Sequence, residues 1–126
     1  MFDGNAGSPL TDTIEYQERL RSLALNDACF VRSVLGMGQD TVEVSRLDPK
    51  AYALVRLAAV LAIGATSSSY NTRVEAALAA GASFDEIVGI LIAVAPEIGL
   101  GRAVSAAPEL ALALGYDVDA ALEAVD

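Results

Sequence analysis

The chain has 126 residues, the length of one domain, and its 54% of hydrophobic residues excludes a disordered protein. Its net charge of −9 argues against nucleic acid and anionic membranes as partners. With no His and a single Cys, the chain has no Ser-His-Asp triad, no His/Cys zinc site and no intrachain disulfide. We therefore predict no metal and no cofactor. The apolar excess predicts burial at an interface between identical subunits.

The N-terminal segment, residues 1–10, is rich in Gly, Asn and Ser and is predicted to be a flexible tail. It has neither the basic region nor the apolar region of a signal peptide, so we predict a cytoplasmic protein. The remaining residues, 11–126, are predicted to form a single helical domain, because alanine, the strongest helix former, is abundant.

Two helices are predicted before the first glycine-rich break. The first begins at Thr11 or Asp12, since Asp12 and Glu15 resemble a capping box. The second, Ala28 to Leu35, follows the capping residues Asn26-Asp27 and ends at Gly36-Met37-Gly38. A continuous helix over 12–35 fits the same apolar stripe and stays an alternative.

The middle of the chain contains its most apolar helix. Residues 41–47 alternate weakly and are predicted to be a loop. Asp48-Pro49 then starts a helix whose residues 51–65 are apolar nearly all round, which predicts burial in the core and against another subunit. Arg56 in this helix would need a carboxylate partner, and a structural ion pair is expected.

Four further helices are expected. One spans about Ser69 to Ala80 and closes at Gly81. A capping box at Ser83 starts the next, Phe84 to Ala95, which Pro96 breaks or kinks. The last two are 100–114, with a kink or restart at Pro108, and a short helix from Asp117 to Val125. The class is therefore all-α with six or seven helices.

Residues 47–107 resemble the carboxymuconolactone decarboxylase family, which includes the AhpD-like alkylhydroperoxidases. The most specific part is RVEAALAAGASFDEIVGILIAVAPEIGLGRAVSA, residues 73–106. Its order is a helix, a Gly, a capping box, an apolar helix, a Pro and a Gly-containing turn. The resemblance implies the AhpD-like helical fold and assembly into trimers or hexamers.

The resemblance also locates the family's reactive positions. The peroxidase branch carries two Cys and a His, which fall here on Thr66, Ser69 and Arg73, and a Glu that falls on Leu54. Hydroxyls cannot cycle through a disulfide, and a guanidinium does not accept a proton at neutral pH. Dithiol peroxidase activity is therefore not expected, and the His-dependent chemistry of the lactone-decarboxylase branch lacks its His.

The polar residues at the start of the motif helix are the candidate substrate-binding residues. They are Ser68, Ser69, Tyr70 and Arg73, joined by Arg102 from the Gly-containing turn. Free backbone N–H groups, hydroxyls and a guanidinium at a helix N-terminus suit a carboxylate. The alternative is that Ser67 or Ser68 only caps the helix while Arg73 pairs with a surface carboxylate.

Glu97 and Arg73 are the candidate catalytic residues. A partly buried Glu97 would act as a general base, because burial raises the pKa of a carboxyl. The alternative is an ion pair of Glu97 with Arg102 or Arg73. Cys29 is expected to be a small core residue, and Tyr52 and Tyr116 packing residues with hydrogen-bonded hydroxyls.

Two functions follow from these residues. The first is a non-redox member of the family, if an enzyme then of lyase or isomerase type. It would bind a small carboxylate, lactone or carbonyl compound in a pocket between helices. The alternative is a catalytically inactive oligomeric scaffold or regulatory protein that retains only the fold.

Overall fold

A computed structural model of the chain describes residues 9–36 and 41–125. Those residues form eight α-helices and no strand, which confirms the all-α class and adds one helix to the predicted number. The chain forms two compact units that divide between Arg46 and Leu47. The single domain predicted over 11–126 stays a prediction.

The first unit contains three helices: α1 (Pro9–Ala24), α2 (Ala28–Val34) and α3 (Thr41–Ser45). α2 contacts both of the others. The Arg19 side chain of α1 donates hydrogen bonds of 3.0 and 2.9 Å to the carbonyls of Val44 and Ser45 at the end of α3. Arg46, just after α3, forms an ion pair with Glu15 of α1.

The predicted start of the first helix is wrong. α1 begins at Pro9, so Asp12 lies inside the helix and is not its N-cap. Pro suits the first turn of a helix, because a backbone N–H at that position would have no hydrogen-bond partner within the helix. Residues 1–8 of the predicted tail lie outside the described residues, whereas Pro9 and Leu10 belong to α1.

The break before α2 is where the sequence placed it, and the alternative of one continuous helix is wrong. Asn26 has a φ of 57°, in the left-handed region, and the Asp27 side chain accepts from the N–H of Phe30. α2 ends at Val34, and Gly36 has a φ of 77°. Met37 and Gly38 of the predicted stop lie outside the described residues.

The loop predicted over 41–47 is also wrong, since residues 41–45 form α3. Five residues give too little periodicity for the sequence to distinguish a short helix from a loop. The bonds from Arg19 to the last carbonyls of α3 satisfy acceptors that so short a helix leaves open.

The second unit contains five helices. They are α4 (Pro49–Ile63), α5 (Ser67–Ala79), α6 (Phe84–Ile98), α7 (Leu100–Ala113) and α8 (Val118–Val125). α4 contacts α5, α6 and α7, and α8 contacts α7. Leu57, Leu61, Val74 and Ile87 are the largest fully buried side chains. Leu110 of α7 belongs to the same cluster, so the core lies where α4, α5, α6 and α7 meet.

The predicted boundaries of these helices are largely confirmed. Asp48 caps α4, Ser83 starts α6 with a complete capping box, and Asp117 accepts from the N–H of Ala120 at 3.0 Å at the start of α8. α5 begins at Ser67, two residues earlier than predicted. Gly64, after α4, has a φ of 70°, the left-handed conformation that glycine adopts readily.

Both internal prolines are tolerated inside helices. α6 continues through Pro96 to Ile98, and α7 continues through Pro108 without a restart. A break at Pro96 and a restart at Pro108 are therefore excluded, while the alternative of a kink at either proline stays a prediction. Proline removes one hydrogen bond to the carbonyl four residues earlier, and near the end of a helix few further bonds depend on that turn.

Although α4 is apolar on nearly all its faces, only one face is buried within the chain. This face contains Ala53, Leu57 and Leu61. On other faces Val55 is 56% exposed and Ile63 is 72% exposed. The predicted burial in the core is therefore confirmed for the face with Leu57, and the predicted burial of the other faces against another subunit stays a prediction.

Candidate functional site

Two grooves lie on either side of the N-terminal turns of α5. The α4–α5 groove has a volume of about 400 Å³ and the α5–α7 groove about 430 Å³. Both lie within the second unit. They divide the candidate substrate-binding residues between them.

The α4–α5 groove brings together three of the predicted residues, Ser68, Ser69 and Arg73. Ser69 and Arg73 are four residues apart on α5, so they lie on one face of the helix. The complete lining is Arg56, Ala59, Val60, Ser68, Ser69, Thr72 and Arg73. It contains two guanidinium groups and three hydroxyls, and no carboxylate.

Arg56 is exposed, and its contacts differ from the predicted ion pair. Its Nη1 donates to the Tyr52 hydroxyl at 3.0 Å, and its guanidinium lies 5.3 Å from the centre of the Tyr52 ring. No carboxylate of the described residues forms an ion pair with Arg56. A guanidinium stacked on an aromatic face keeps N–H groups available for a ligand.

Arg73 is half-buried on α5. Among the residues that the structure describes, none forms a hydrogen bond or an ion pair with its guanidinium. The alternative of a surface ion pair is therefore not found within the described chain. A half-buried guanidinium without an acceptor favours an anionic ligand.

The hydroxyls of Thr66, Ser68 and Ser69 lie next to each other at the start of α5. The Thr66 and Ser69 hydroxyl oxygens are 3.5 Å apart, and Thr66 Oγ1 is 3.1 Å from Ser68 Oγ. Thr66 is the N-cap of α5, but its side chain does not bond to the first-turn amides. Leu54 packs against the core.

The α5–α7 groove holds the other two predicted binding residues, Tyr70 and Arg102. Ser67 and Glu109 line it as well, and the Ser67 hydroxyl donates to the Glu109 carboxylate at 2.5 Å. Ser67, one of the two serines proposed as a cap of this helix, is thus bonded to a carboxylate of α7. Gly64, Ala65, Thr66, Ser105 and Ala106 complete the lining.

Tyr70 is only 4% exposed. Burial raises the pKa of its hydroxyl, the negative charge of Glu109 raises it further, and the positive charge of Arg102 opposes the rise. The hydroxyl is therefore protonated at neutral pH and acts as a hydrogen-bond donor.

Glu97 is separate from both groups of residues. It lies near the end of α6, is exposed, and is not among the residues that line either groove. No ion pair of Glu97 with Arg73 or Arg102 occurs in the described chain. Its role as a general base stays a prediction.

Sequence reasoning missed Glu109 as a groove residue and did not distinguish Ser67 from the serines beside it. One signal was available for Glu109, which lies seven residues after Arg102. That spacing puts both charges on one face of α7. Ser67 carried no separate signal, because three consecutive serines are indistinguishable without the helix orientation.

Two other expectations about single residues are wrong. Cys29 is exposed rather than part of a core, and Tyr116 is 58% exposed. Tyr52 is half-buried and its hydroxyl accepts the bond from Arg56, as expected. Within the described residues, no three Cys, Asp or Glu side chains are grouped closely enough to hold a metal ion.

Comparison with known proteins found no matching family model, no matching curated protein and no matching solved structure. None of the described helices has both the length and the apolar character needed to cross a membrane.

Proposed function

We propose that the protein binds a small carboxylate in the α4–α5 groove and is a divergent, non-redox relative of the carboxymuconolactone decarboxylase family. The observation that carries the proposal is that Arg56 and Arg73 both line a groove whose lining contains no acidic side chain. On a chain with a net charge of −9, such a local concentration of positive charge favours a specific anion.

The chemistry of the lining defines the ligand. A guanidinium binds a carboxylate through two parallel hydrogen bonds, and the Ser68 and Ser69 hydroxyls donate to a further oxygen such as a lactone or ketone carbonyl. The first turn of α5 adds the positive end of its helix dipole, and the Thr66 side chain leaves its amides uncapped.

The resemblance to the family supports the same location. Its thiol and His positions correspond to Thr66, Ser69 and Arg73, and the last two line the groove. Replacement of thiols by hydroxyls and of an imidazole by a guanidinium changes a redox site into one suited to hold an anion. If the protein is an enzyme, a non-redox lyase or isomerase reaction on a bound keto acid or lactone fits these groups.

The proposal is tested by titration calorimetry with succinate and laevulinate as probes and succinamide as the uncharged comparison. Arg73→Ala should weaken binding of the two acids by at least about tenfold, because one charge-assisted pair is lost. Arg73→Lys should retain part of the affinity, since it keeps the charge without the planar fork.

Arg32→Ala is the matched control, because Arg32 is an exposed residue of α2 and its loss changes the net charge equally. Equal affinities of the parent protein and Arg73→Ala for both acids would contradict the proposed site. So would equal binding of succinate and succinamide.

The second candidate function is an oligomeric scaffold, and one observation favours it. Phe84, Val88 and Ile92 follow one another at four-residue intervals on α6, and all three side chains are exposed. Four-residue spacing places them along one face of the helix. We propose that this α6 stripe is covered by a second copy of the chain in a trimer or hexamer.

A further inference from the structure

The α5–α7 groove presents two opposite charges that do not pair with each other. Arg102 and Glu109 both line it, and no ion pair between them occurs in the described chain. They are seven residues apart on α7, which separates their Cα atoms by roughly 10 Å along the helix. The groove is therefore positive at one end and negative at the other.

Each charge lies beside a different helix end. The Arg102 guanidinium lies beside Gly64, where a Cβ would come within 3.0 Å of its Nη1. Gly64 is the C-cap of α4, so the guanidinium is at the negative end of that helix dipole. At the other end, Glu109 accepts the hydrogen bond from Ser67 at the start of α5.

The Tyr70 hydroxyl is an independent indication of a ligand. Its side chain is 4% exposed, it lines the groove, and the hydroxyl has no hydrogen-bond partner among the described residues. Nearly all buried hydroxyls in folded proteins have a hydrogen-bond partner, so this one is available to a ligand. The electrostatic effects of Glu109 and Arg102 on this hydroxyl place it within range of both charges.

We infer that the α5–α7 groove is a second binding site, for a small zwitterion that carries a carboxylate and an ammonium at opposite ends, such as an ω-amino acid. Its carboxylate binds Arg102 and receives the hydrogen bond of Tyr70, and its ammonium binds Glu109. The methylenes between them lie against Ala65 and Ala106.

The charges of the two grooves distinguish their ligands. A plain carboxylate is repelled by Glu109 in the α5–α7 groove, whereas the lining of the α4–α5 groove contains no acid. A plain amine is repelled by Arg102. Only a ligand with both charges has a partner for each end of the groove.

The inference is tested with δ-aminovalerate, valerate and pentylamine, three probes that differ only in their end groups. In an Arg73→Ala background, δ-aminovalerate should bind at least about tenfold more tightly than either of the other two, because each lacks one ionic partner. Glu109→Gln should remove the advantage of δ-aminovalerate over valerate, and Tyr70→Phe should weaken δ-aminovalerate binding.

The Arg73→Ala background separates the two sites, because Arg73 lines only the α4–α5 groove and its loss weakens carboxylate binding there. Arg32→Ala, an exposed change on α2 outside both grooves, is the control and should leave δ-aminovalerate binding unchanged from that of the parent protein. Valerate that binds as tightly as δ-aminovalerate to Arg73→Ala would overturn the inference.

A measurement on the parent protein avoids dependence on variants that fold poorly. The ionisation of the tyrosines is followed by absorbance with and without δ-aminovalerate. A carboxylate bonded to the Tyr70 hydroxyl favours its protonated form, so the ionisation of one tyrosine should move to higher pH. Superimposable titration curves at saturating δ-aminovalerate would contradict the assigned contact.

Discussion

At the residue scale, individual polar side chains fix where helices begin. Asp27, Asp48, Ser83 and Asp117 each accept a hydrogen bond from the backbone N–H three residues later. Such caps satisfy amides that the helix itself leaves unbonded. All four positions were recognisable in the sequence because the interaction spans only three residues.

Glu86 completes the strongest of these caps and gives it a pH dependence. Its carboxylate accepts from the backbone N–H of Ser83 at 2.8 Å and from the Lys50 ammonium at 2.9 Å. The bond from Ser83, followed by that from Lys50, holds the pKa of Glu86 below its usual value. The folded state therefore favours the ionised carboxylate.

We predict that Glu86 stabilises the protein at neutral pH and that this stabilisation is lost in acid. A lowered folded pKa contributes above the unfolded pKa, and the contribution disappears as the pH falls through the folded value. Glu86→Gln, which keeps the shape of the side chain and removes the charge, should be less stable than the parent at pH 7. The difference should shrink in acid, as measured by urea unfolding.

Glu75→Gln is the control for this experiment, because Glu75 is exposed on α5 and has no bond within the described residues. It removes one negative charge without touching a cap. If the difference between Glu86→Gln and the parent were the same at every pH, the electrostatic account of this cap would be wrong.

At the element scale, α4 shows that the face on which a residue lies, rather than the composition of the helix, sets how much that residue contributes to stability. Leu57 is fully buried and Val55 is 56% exposed, two residues earlier on the same apolar helix. Side chains two residues apart point in different directions. The sequence alone could not predict which of the two is buried, since both belong to an apolar run.

We predict that Leu57→Ala lowers the free energy of unfolding by about 2–5 kcal/mol, through lost burial and the cavity left behind. Val55→Ala is the matched control and should change it by less than about 0.5 kcal/mol. Urea unfolding followed by circular dichroism measures both. Similar losses for the two variants would contradict the described orientation of α4.

Replacing glycine by alanine should change the stability in opposite directions at the end of a helix and inside a helix. Gly64 has a φ of 70° and a Cβ there would meet the Arg102 guanidinium, whereas Gly89 lies inside α6 with nothing within 4 Å of a Cβ. Gly64→Ala should destabilise the protein by about 1–2 kcal/mol, the cost of a left-handed L-residue. Gly89→Ala should stabilise it by about 0.5–1 kcal/mol, because it favours the helix.

The two glycine variants are compared by thermal and urea unfolding. Each serves as the control for the other, since both add one methyl group to the second unit. A stabilising Gly64→Ala would show that the end of α4 does not adopt the described left-handed turn.

At the scale of the whole molecule, much of the apolar surface is exposed. Within the described chain, the second unit leaves the α6 stripe and residues such as Ile63 and Leu100 exposed. Exposed apolar stripes such as that of α6 are typical of protein interaction sites. The apolar excess of the sequence is therefore only partly buried by the single chain.

We predict that the protein self-associates through the α6 stripe. Ile92→Lys should shift the sedimentation coefficient toward that of a monomer, because a charge would be desolvated at the interface. Glu75→Lys, an exposed change on α5, is the control and should leave assembly intact. A parent protein that is monomeric at all concentrations would contradict the prediction.

Much of the fold follows from local signals. Caps, the glycines after α4, α5 and α7, and the apolar periodicity of α6 fixed most helix boundaries to within one or two residues. The errors occur where a local signal was absent or ambiguous: the start at Pro9, the five-residue α3, and the proline inside α6. Tertiary contacts, such as those of Arg19 with α3, decide such cases.

The sequence by itself determined that the protein is helical, where most helices begin and end, and which polar residues gather at the start of α5. Only the tertiary structure decided which groove each of them enters. Consecutive residues on a helix point about 100° apart, so Ser69 lies in the α4–α5 groove and Tyr70 in the α5–α7 groove. The partners Arg56 and Glu109 come from other helices, and no local pattern links them to α5.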